Sequence, residues 1–280
     1  MRKLIALSFL LSFIVIGSMS AQDSSFKVKV SGEGTPIIFL PGFTCPGEVW
    51  DATIKSLDKK YKTYQFTYAG FQGVPSIGLP WYDTISKGLS KYLEDENIQG
   101  AIIIGHSMGG MLAIDLASDQ PDRIEKMILV DALPCIRAVM MPQVPASQIS
   151  ADNPYSQQLL NMTDSALSVM AVQMAQGMTN KADKQSLLVD YIMQTDREIY
   201  VKGYVELLKL DLREKLPSID IPTLVLSADA FGKEQALKTM NDQYANLGNK
   251  EIKVAADSKH FIMFDQPEWF YDQVNSFLNQ

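Results

Sequence analysis

Apolar and polar positions follow two different periods along this chain. Short apolar runs bounded by Gly, Pro, Asn or Asp predict buried strands, and longer stretches with apolar residues three or four positions apart predict amphipathic helices. The predicted strands are 27–30, 37–40, 61–68, 101–104, 126–130, 223–226 and about 252–255. The predicted helices are about 48–60, 81–96, 108–118, 234–247 and 269–278. Because strands and helices alternate, we expect an α/β fold with a mainly parallel sheet covered on both faces.

One segment interrupts this alternation. From about 133 to 216 the pattern contains no convincing strand, and Met170, Met174 and Met178 recur there at helical spacing. A methionine stripe of this kind is typical of an ordinary helix core, but a whole helical insertion between two strands indicates a cap over the edge of the sheet. We therefore expect a helical cap inserted into a single α/β domain.

The first 21 residues have the pattern of a signal peptide. Arg2 and Lys3 form a positive start, an apolar run follows, and mostly small residues lead to Ala21. The apolar run is shorter than the roughly 20 residues that a membrane-spanning helix needs, which favours cleavage over a retained anchor. We expect export to the periplasm or out of the cell, a mature domain of residues 22–280, and no stable membrane insertion after cleavage.

The charge of the chain argues against some classes of partner. Lys and Arg number 25 and Asp and Glu number 32, which gives a net charge of −7, and loss of the leader makes the mature chain more acidic. An acidic protein is a poor partner for nucleic acids and anionic membranes. The two cysteines and two histidines do not have zinc-ligand spacing, so no metal site is predicted.

A candidate nucleophile stands between a predicted strand and a predicted helix. Residues 105–109 read Gly-His-Ser-Met-Gly, with an apolar run before them and a helical pattern after them. A GxSxG pattern alone can be an ordinary turn. In this setting it predicts a sharp strand-to-helix turn that exposes the Ser107 hydroxyl above the sheet.

A serine hydroxyl needs a base, and the chain offers only two histidines. His106 is adjacent to Ser107 inside the turn, where the local geometry directs its side chain away from the hydroxyl. His260 follows the last predicted strand and precedes the last helix, which is the place of the base in this order of elements. A lone histidine beside an apolar run is commonly structural, but its position here favours a catalytic role.

These motifs resemble those of the α/β-hydrolase superfamily over nearly the whole mature length. The similar segments are residues 39–43 (Phe-Leu-Pro-Gly-Phe), 105–109 and 259–268. The resemblance implies a sheet of roughly eight strands and an oxyanion hole formed by the backbone N–H groups of Phe43 and Met108. Pro41 departs from the His-Gly pair that is common at this loop in the superfamily.

The acid that orients the histidine has three candidates. Many superfamily members carry it after the strand that corresponds to 223–226, but the expected position there holds Phe231. Asp229 lies two residues earlier. Asp131 follows the preceding strand, where some relatives place the acid, and Asp257 just precedes the histidine. We favour Asp131, with Asp229 as the alternative and Asp257 third.

The resemblance also brings the two cysteines to the same edge of the sheet. Cys45 follows the oxyanion loop and Cys135 follows Asp131. Export would permit a disulfide, so a bridge between Cys45 and Cys135 and two buried free thiols are both open.

The predicted chemistry is two-step acyl transfer through an acyl-enzyme on Ser107, without a metal or organic cofactor. A serine in place of a carboxylate nucleophile argues against epoxide hydrolase and haloalkane dehalogenase chemistry. The expected partner is a small-molecule acyl substrate, namely a small or medium, largely apolar carboxylester, lactone or thioester, with carbon–carbon bond hydrolysis also open. The alternatives are a cofactor-free haloperoxidase or acyltransferase, and a hydrolase-like binding module with little turnover.

Overall fold

Seven strands form one sheet in the computed structural model, which describes residues 25–280. The strands are β1 Phe26–Ser31, β2 Pro36–Leu40, β3 Lys62–Tyr68, β4 Ala101–His106, β5 Ile124–Val130, β6 Thr223–Ala228 and β7 Lys250–Ala255. Their order in space is β1-β3-β2-β4-β5-β6-β7. β1 runs antiparallel to β3, and all the other neighbouring pairs are parallel. The α/β-hydrolase fold expected from the motifs is confirmed.

The strand count agrees with the sequence. All seven strands predicted from the apolar runs are present in residues 25–280, one fewer than the roughly eight that the resemblance implies. β1 lies at the outer edge of β3, and residues 32–35 connect it to β2. The predicted signal peptide, 1–21, lies outside the described residues.

Helices cover both faces of the sheet because successive side chains of the central strands point to opposite sides. Ile38 and Leu40 belong to one buried cluster, and Ile37 and Phe39 belong to the other. The helices are α1 Asp51–Lys55, α2 Trp81–Asp95, α3 Met108–Asp119, α4 Ile136–Met140, α5 Pro154–Leu160, α6 Asp164–Met178, α7 Ala182–Met193, α8 Tyr204–Lys209, α9 Lys233–Gln243, α10 Ile262–Asp265 and α11 Pro267–Leu278. Helices α2, α3 and α9 pack on the first face, and α11 packs on the second.

The first helix is shorter than its predicted span of about 48–60. A 3-10 turn leads into α1, which ends at Lys55. The Asn275 side chain of α11 donates to Ser56 O (2.8 Å) and accepts the Asp58 N–H (3.0 Å). These two bonds take up backbone groups that a longer helix would have used internally, so the helix stops there.

Five helices, α4 to α8, lie between β5 and β6, with a π-helical turn at Ile199–Gly203 directly before α8. The structure describes this whole segment, and it contains no strand. Glu206 on α8 accepts the backbone N–H groups of Trp81 (3.1 Å) and Tyr82 (2.8 Å), which are free donors at the start of α2. This bond pair fastens the inserted helices to the main domain.

Within residues 25–280, every helix is too short or too polar to cross a membrane.

Candidate active site

The candidate site lies at the carboxyl ends of the parallel strands. Ser107 directly follows β4, Asp131 follows β5, and His260 lies on the loop after β7. All three line one cavity together with Gly42 and Phe43 from the loop after β2. Side chains that are distant in the sequence therefore meet above the edge of the sheet, where open α/β sheets bind their ligands.

Ser107 has the backbone of a strained strand-to-helix turn. Its φ of 54° and ψ of −120° are rare for a residue with a side chain. A Cβ on Gly105 would collide with Gly109 O, and a Cβ on Gly109 would collide with Leu40 O. Because neither position has space for a side chain, the two glycines let β4 turn sharply into α3 and present the serine at the mouth of the turn.

Asp131 and His260 form a short side-chain hydrogen bond. The Nδ1 atom of His260 donates to Oδ2 of Asp131 at 2.7 Å, and Oδ1 of the same carboxylate accepts the Ala228 N–H at 2.9 Å. A proton on Nδ1 leaves Nε2 of the imidazole as a lone-pair acceptor, which is the form that a general base requires. The structure thus brings the favoured acid to the predicted base.

The two other acid candidates lie elsewhere. Both carboxylate oxygens of Asp229 accept backbone N–H groups, those of Asp257 and Ser258, each at 3.1 Å. Asp229 therefore holds the loop that leads to His260. Asp257 is exposed, and Phe231 is 90% exposed at the rim of the cavity.

His106 is buried next to His260 and forms a hydrogen bond with its backbone. Its Nε2 donates to the His260 carbonyl oxygen at 3.0 Å, and the two rings lie 4.5 Å apart. Its Nδ1 has no hydrogen-bond partner among residues 25–280. Burial, and secondarily the nearby His260, holds the pKa of His106 well below its usual range, so its ring is neutral.

The two predicted oxyanion donors come from neighbouring pieces of backbone. Met108 is the first residue of α3, and Phe43 lies in the loop after β2, which is closed by a Cys45 N–H to Gly42 O bond (3.1 Å). The Phe43 ring packs edge-on against Phe71, with ring centres 5.3 Å apart. This packing fixes the loop beside Ser107.

The cavity has a volume of about 920 Å³ and is largely apolar. Its outer wall is formed by the inserted helices, including Met170, Met174 and Met178 on α6. A volume of this size is at the upper end of the range for small-molecule pockets. Methionine side chains adapt to ligands of different shape, so the wall can accommodate a flexible apolar group.

Sequence reasoning missed the group that joins the inserted helices to the histidine loop. The buried Asp265 carboxylate accepts the Thr179 hydroxyl (2.6 Å) and the N–H groups of Asn180 and Lys259 (both 2.8 Å). We call these four residues the clasp. Asp265 lies within the segment 259–268 that resembles the superfamily, but its partners lie more than eighty positions away or across a tight turn. The local pattern therefore carries little signal for this contact.

The structure has the second of the two cysteine states that the sequence left open. Cys45 and Cys135 are both free and buried. Cys45 packs in the apolar cluster that contains Phe39, whereas the Cys135 backbone N–H donates to Gln243 Oε1 at 3.1 Å. The two loops emerge at the same edge of the sheet, but they direct the thiols into different surroundings.

Within residues 25–280, no cluster of three or more His, Cys, Asp or Glu side chains could hold a metal ion.

Comparisons with known proteins agree with the fold. The family model described as the alpha/beta hydrolase family matches residues 37–273. A pimeloyl-[acyl-carrier protein] methyl ester esterase of Aliivibrio fischeri (strain MJ11) is 23% identical over 268 residues, covering 92% of this chain and 99% of that protein.

Two solved structures have a similar fold. An esterase (EaEST) from Exiguobacterium antarcticum superimposes with a TM-score of 0.76 at 18% identity, covering 91% of this chain and 96% of that chain. The enol-lactonase from Burkholderia xenovorans LB400 gives a TM-score of 0.75 at 19% identity, covering 93% and 99%.

Proposed function

Because this chain belongs to the alpha/beta hydrolase family, we propose that it is a serine esterase that cleaves a carboxylic ester with a largely apolar acyl group. The observation that carries the proposal is the 2.7 Å bond between His260 Nδ1 and Asp131 Oδ2, in one cavity with the strained Ser107. The similar proteins named as esterases and an enol-lactonase support ester-type bonds as the target.

In the proposed reaction, His260 Nε2 takes the hydroxyl proton as Ser107 Oγ attacks the ester carbonyl carbon. The backbone N–H groups of Phe43 and Met108 stabilise the oxyanion, each worth roughly 3 kcal/mol. The imidazolium then gives its proton to the departing alcohol, which leaves an acyl-enzyme on Ser107. Water, activated by the same nitrogen, attacks the acyl-enzyme and releases the acid. Asp131 keeps the imidazole in the required tautomer throughout.

The test combines ester hydrolysis with fluorophosphonate labelling. Wild type should hydrolyse short and medium acyl esters and acquire one adduct on Ser107, located by peptide mass spectrometry. Ser107→Ala should lose the adduct and at least about 10³-fold in kcat. Ser165→Ala, an exposed serine on α6, is the matched control and should retain both.

The alternative functions predict different outcomes of the same test. Equal turnover by wild type and Ser107→Ala contradicts the esterase proposal. Absence of both labelling and turnover in the folded wild type favours a binding module. Product analysis in the presence of alcohol or peroxide distinguishes hydrolysis from transfer, because an acyltransferase or haloperoxidase passes the acyl group to the added nucleophile in preference to water.

We also propose that the enzyme acts outside the cytoplasm after cleavage near Ala21. The support is the positive start and apolar run in residues 1–21. The intact mass of protein recovered from the periplasm or the medium tests it. Recovery of the uncleaved chain from the cytoplasm alone contradicts it.

A further inference from the structure

We propose that the acyl site selects uncharged chains and rejects acyl chains that end in a carboxylate. This inference rests on the proposed esterase function and names the class of ester that the same cavity accepts. It is carried by the charges of the cavity wall, by the bonds of the nearby arginines and by the composition of the cavity mouth.

The wall of the cavity lacks a fixed positive charge. Among the described residues, its His, Asp and Glu side chains are the two histidines, Asp131 and Asp152, and no Lys or Arg belongs to the lining. His106 is neutral because burial lowers its pKa. Asp131 is bonded to His260, and Asp152 is exposed near the mouth. Both carboxylates would repel an anionic chain.

Arg137 lies behind the wall of the cavity. Its Nη1 donates to Val144 O at 3.3 Å, and its Nη2 lies 3.9 Å from Asp211. Val144 lines the cavity but the arginine does not. The guanidinium thus supports a wall segment from outside.

Arg197 lies behind another part of the wall. It donates to Leu159 O (3.2 Å), Met162 O (2.7 Å) and Asp164 Oδ1 (2.8 Å). Leu159 lines the cavity and Arg197 does not. These bonds occupy both terminal nitrogens of the guanidinium, so this cation is also not offered to a ligand.

The mouth of the cavity carries exposed apolar side chains alongside polar ones such as Asp152. Val139, Met140, Tyr155 and Phe231 all line the cavity, and they are 43%, 60%, 64% and 90% exposed. Exposed apolar side chains clustered at the entrance of a pocket mark a site for an apolar ligand. An uncharged chain therefore finds apolar side chains both at the mouth and at the methionines of α6.

An anionic end on the acyl chain would lose its hydration in this cavity and find no cation in return. Transfer of a carboxylate into an apolar site without a partner is strongly unfavourable. We expect kcat/KM for a neutral ester to exceed that for the matched anionic ester by about 100-fold, which is the scale of discrimination that a single pocket can reach.

Three methyl esters with the same seven-carbon chain test this selection near neutral pH. Methyl heptanoate is neutral, monomethyl pimelate carries a terminal carboxylate, and dimethyl pimelate carries a neutral group of similar size at the same end. Wild type should prefer methyl heptanoate to monomethyl pimelate by about 100-fold. Dimethyl pimelate should recover most of the lost rate, since charge and not size is the cause. Equal or faster turnover of monomethyl pimelate overturns the inference while the esterase function stands.

A matched pair of variants at the mouth sharpens the test. Met140→Arg adds a cation at the entrance, and Met140→Gln adds a neutral polar group of similar length. We expect Met140→Arg to reduce the preference for methyl heptanoate at least about 10-fold and Met140→Gln to leave it nearly unchanged. If both variants change the preference equally, the selection does not depend on charge and the inference fails.

Binding separates this inference from the esterase proposal. In Ser107→Ala, calorimetric titration should give a lower Kd for methyl heptanoate than for monomethyl pimelate, whether or not wild type turns over either ester. If wild type hydrolyses neither ester faster than Ser107→Ala does, the function proposed for Ser107 fails, and the ratio of the two Kd values still decides the charge selection. Equal Kd values overturn it.

Discussion

His260 Nδ1 lies 2.7 Å from Asp131 Oδ2, although 129 residues separate the two in the sequence. The same carboxylate is anchored by the Ala228 N–H at the end of β6. Asp131 thus sits between two strand ends, with one oxygen fixed by the backbone and the other directed at the imidazole. Asp229, which follows β6 where the acid more commonly lies, uses its carboxylate to bind the loop before His260 instead.

This arrangement predicts different effects for the two aspartates. Asp131→Asn should lower kcat by about 10⁴-fold, because an amide no longer fixes the imidazole tautomer that accepts the serine proton. Asp229→Asn keeps an oxygen acceptor for the loop, so its loss should be roughly 10-fold or less. Steady-state kinetics on one neutral ester measures both. A larger loss in Asp229→Asn would move the acid to that residue.

A second prediction concerns His106 and pH. Burial holds its pKa well below the usual value, whereas in the unfolded chain a histidine has a pKa of about 6.5. Below about pH 6.5 the unfolded state therefore binds more protons, and the free energy of unfolding falls as the pH decreases. The contribution of His106 to stability is fully present above about pH 6.5 and is lost as the pH falls from there towards the lowered pKa.

His106→Gln removes the titratable imidazole and retains an N–H donor for the His260 carbonyl. Denaturant unfolding at about pH 7 and about pH 5 should show a smaller decrease in stability for the variant than for wild type. The carboxylates are the same in both proteins, so their titration cancels in the comparison. Identical pH slopes would mean that His106 has the same pKa in the native and unfolded states, which would contradict the lowered pKa.

Thiol reactivity provides a third prediction. Burial raises the pKa of Cys45 to about 12, and burial also raises the pKa of Cys135. A protonated, buried thiol reacts slowly. Ellman's reagent should therefore detect almost no thiol in the native protein and two thiols in denaturant without a reductant. Detection of none in denaturant would restore the Cys45–Cys135 bridge.

The apolar pattern was sufficient for the strands because burial on both faces of a parallel sheet is a local property of each strand's sequence. The same holds for the turn at Ser107, where crowding against Leu40 and within the turn requires Gly105 and Gly109. The predicted end of the first helix, near residue 60, was wrong because the Asn275 side chain that stops the helix comes from the far end of the chain.

The acid was harder to assign than the nucleophile for a related reason. Asp131, Asp229 and Asp257 all follow or approach strand ends at one edge of the sheet, so topology alone brings each of them near His260. Their hydrogen bonds differ through contacts between separate loops, which a linear pattern does not encode. The clasp is the extreme case, since Asp265 and Thr179 are 86 residues apart.

The clasp leads to the fourth prediction. Asp265 accepts donors from Thr179 and Asn180 at the end of α6 and from Lys259 beside the histidine. A further bond, from the Phe261 N–H to Met178 O (3.1 Å), runs parallel to them. The two residues that flank His260 are therefore both tied to the helix whose methionines line the acyl cavity.

Asp265→Asn keeps the size of the side chain but replaces one carboxylate oxygen with an N–H donor, so one of the three donors loses its acceptor. We expect a loss of about 1 to 3 kcal/mol in the free energy of unfolding, because the side chain is buried. We also expect kcat to fall about 10-fold or more, because loss of a bond in the clasp displaces His260 and a displaced base transfers the proton less well.

Asp257→Asn is the matched control, because its exposed carboxylate lies on the same loop and its backbone carbonyl, which the change retains, makes the bond to Asn180. It should leave kcat unchanged. If Asp265→Asn loses stability but retains wild-type kcat well below its unfolding temperature, the clasp stabilises the fold without positioning His260. If kcat of Asp265→Asn instead falls while its stability equals that of Asp257→Asn, the inserted helices set the position of the base as well as the shape of the acyl cavity.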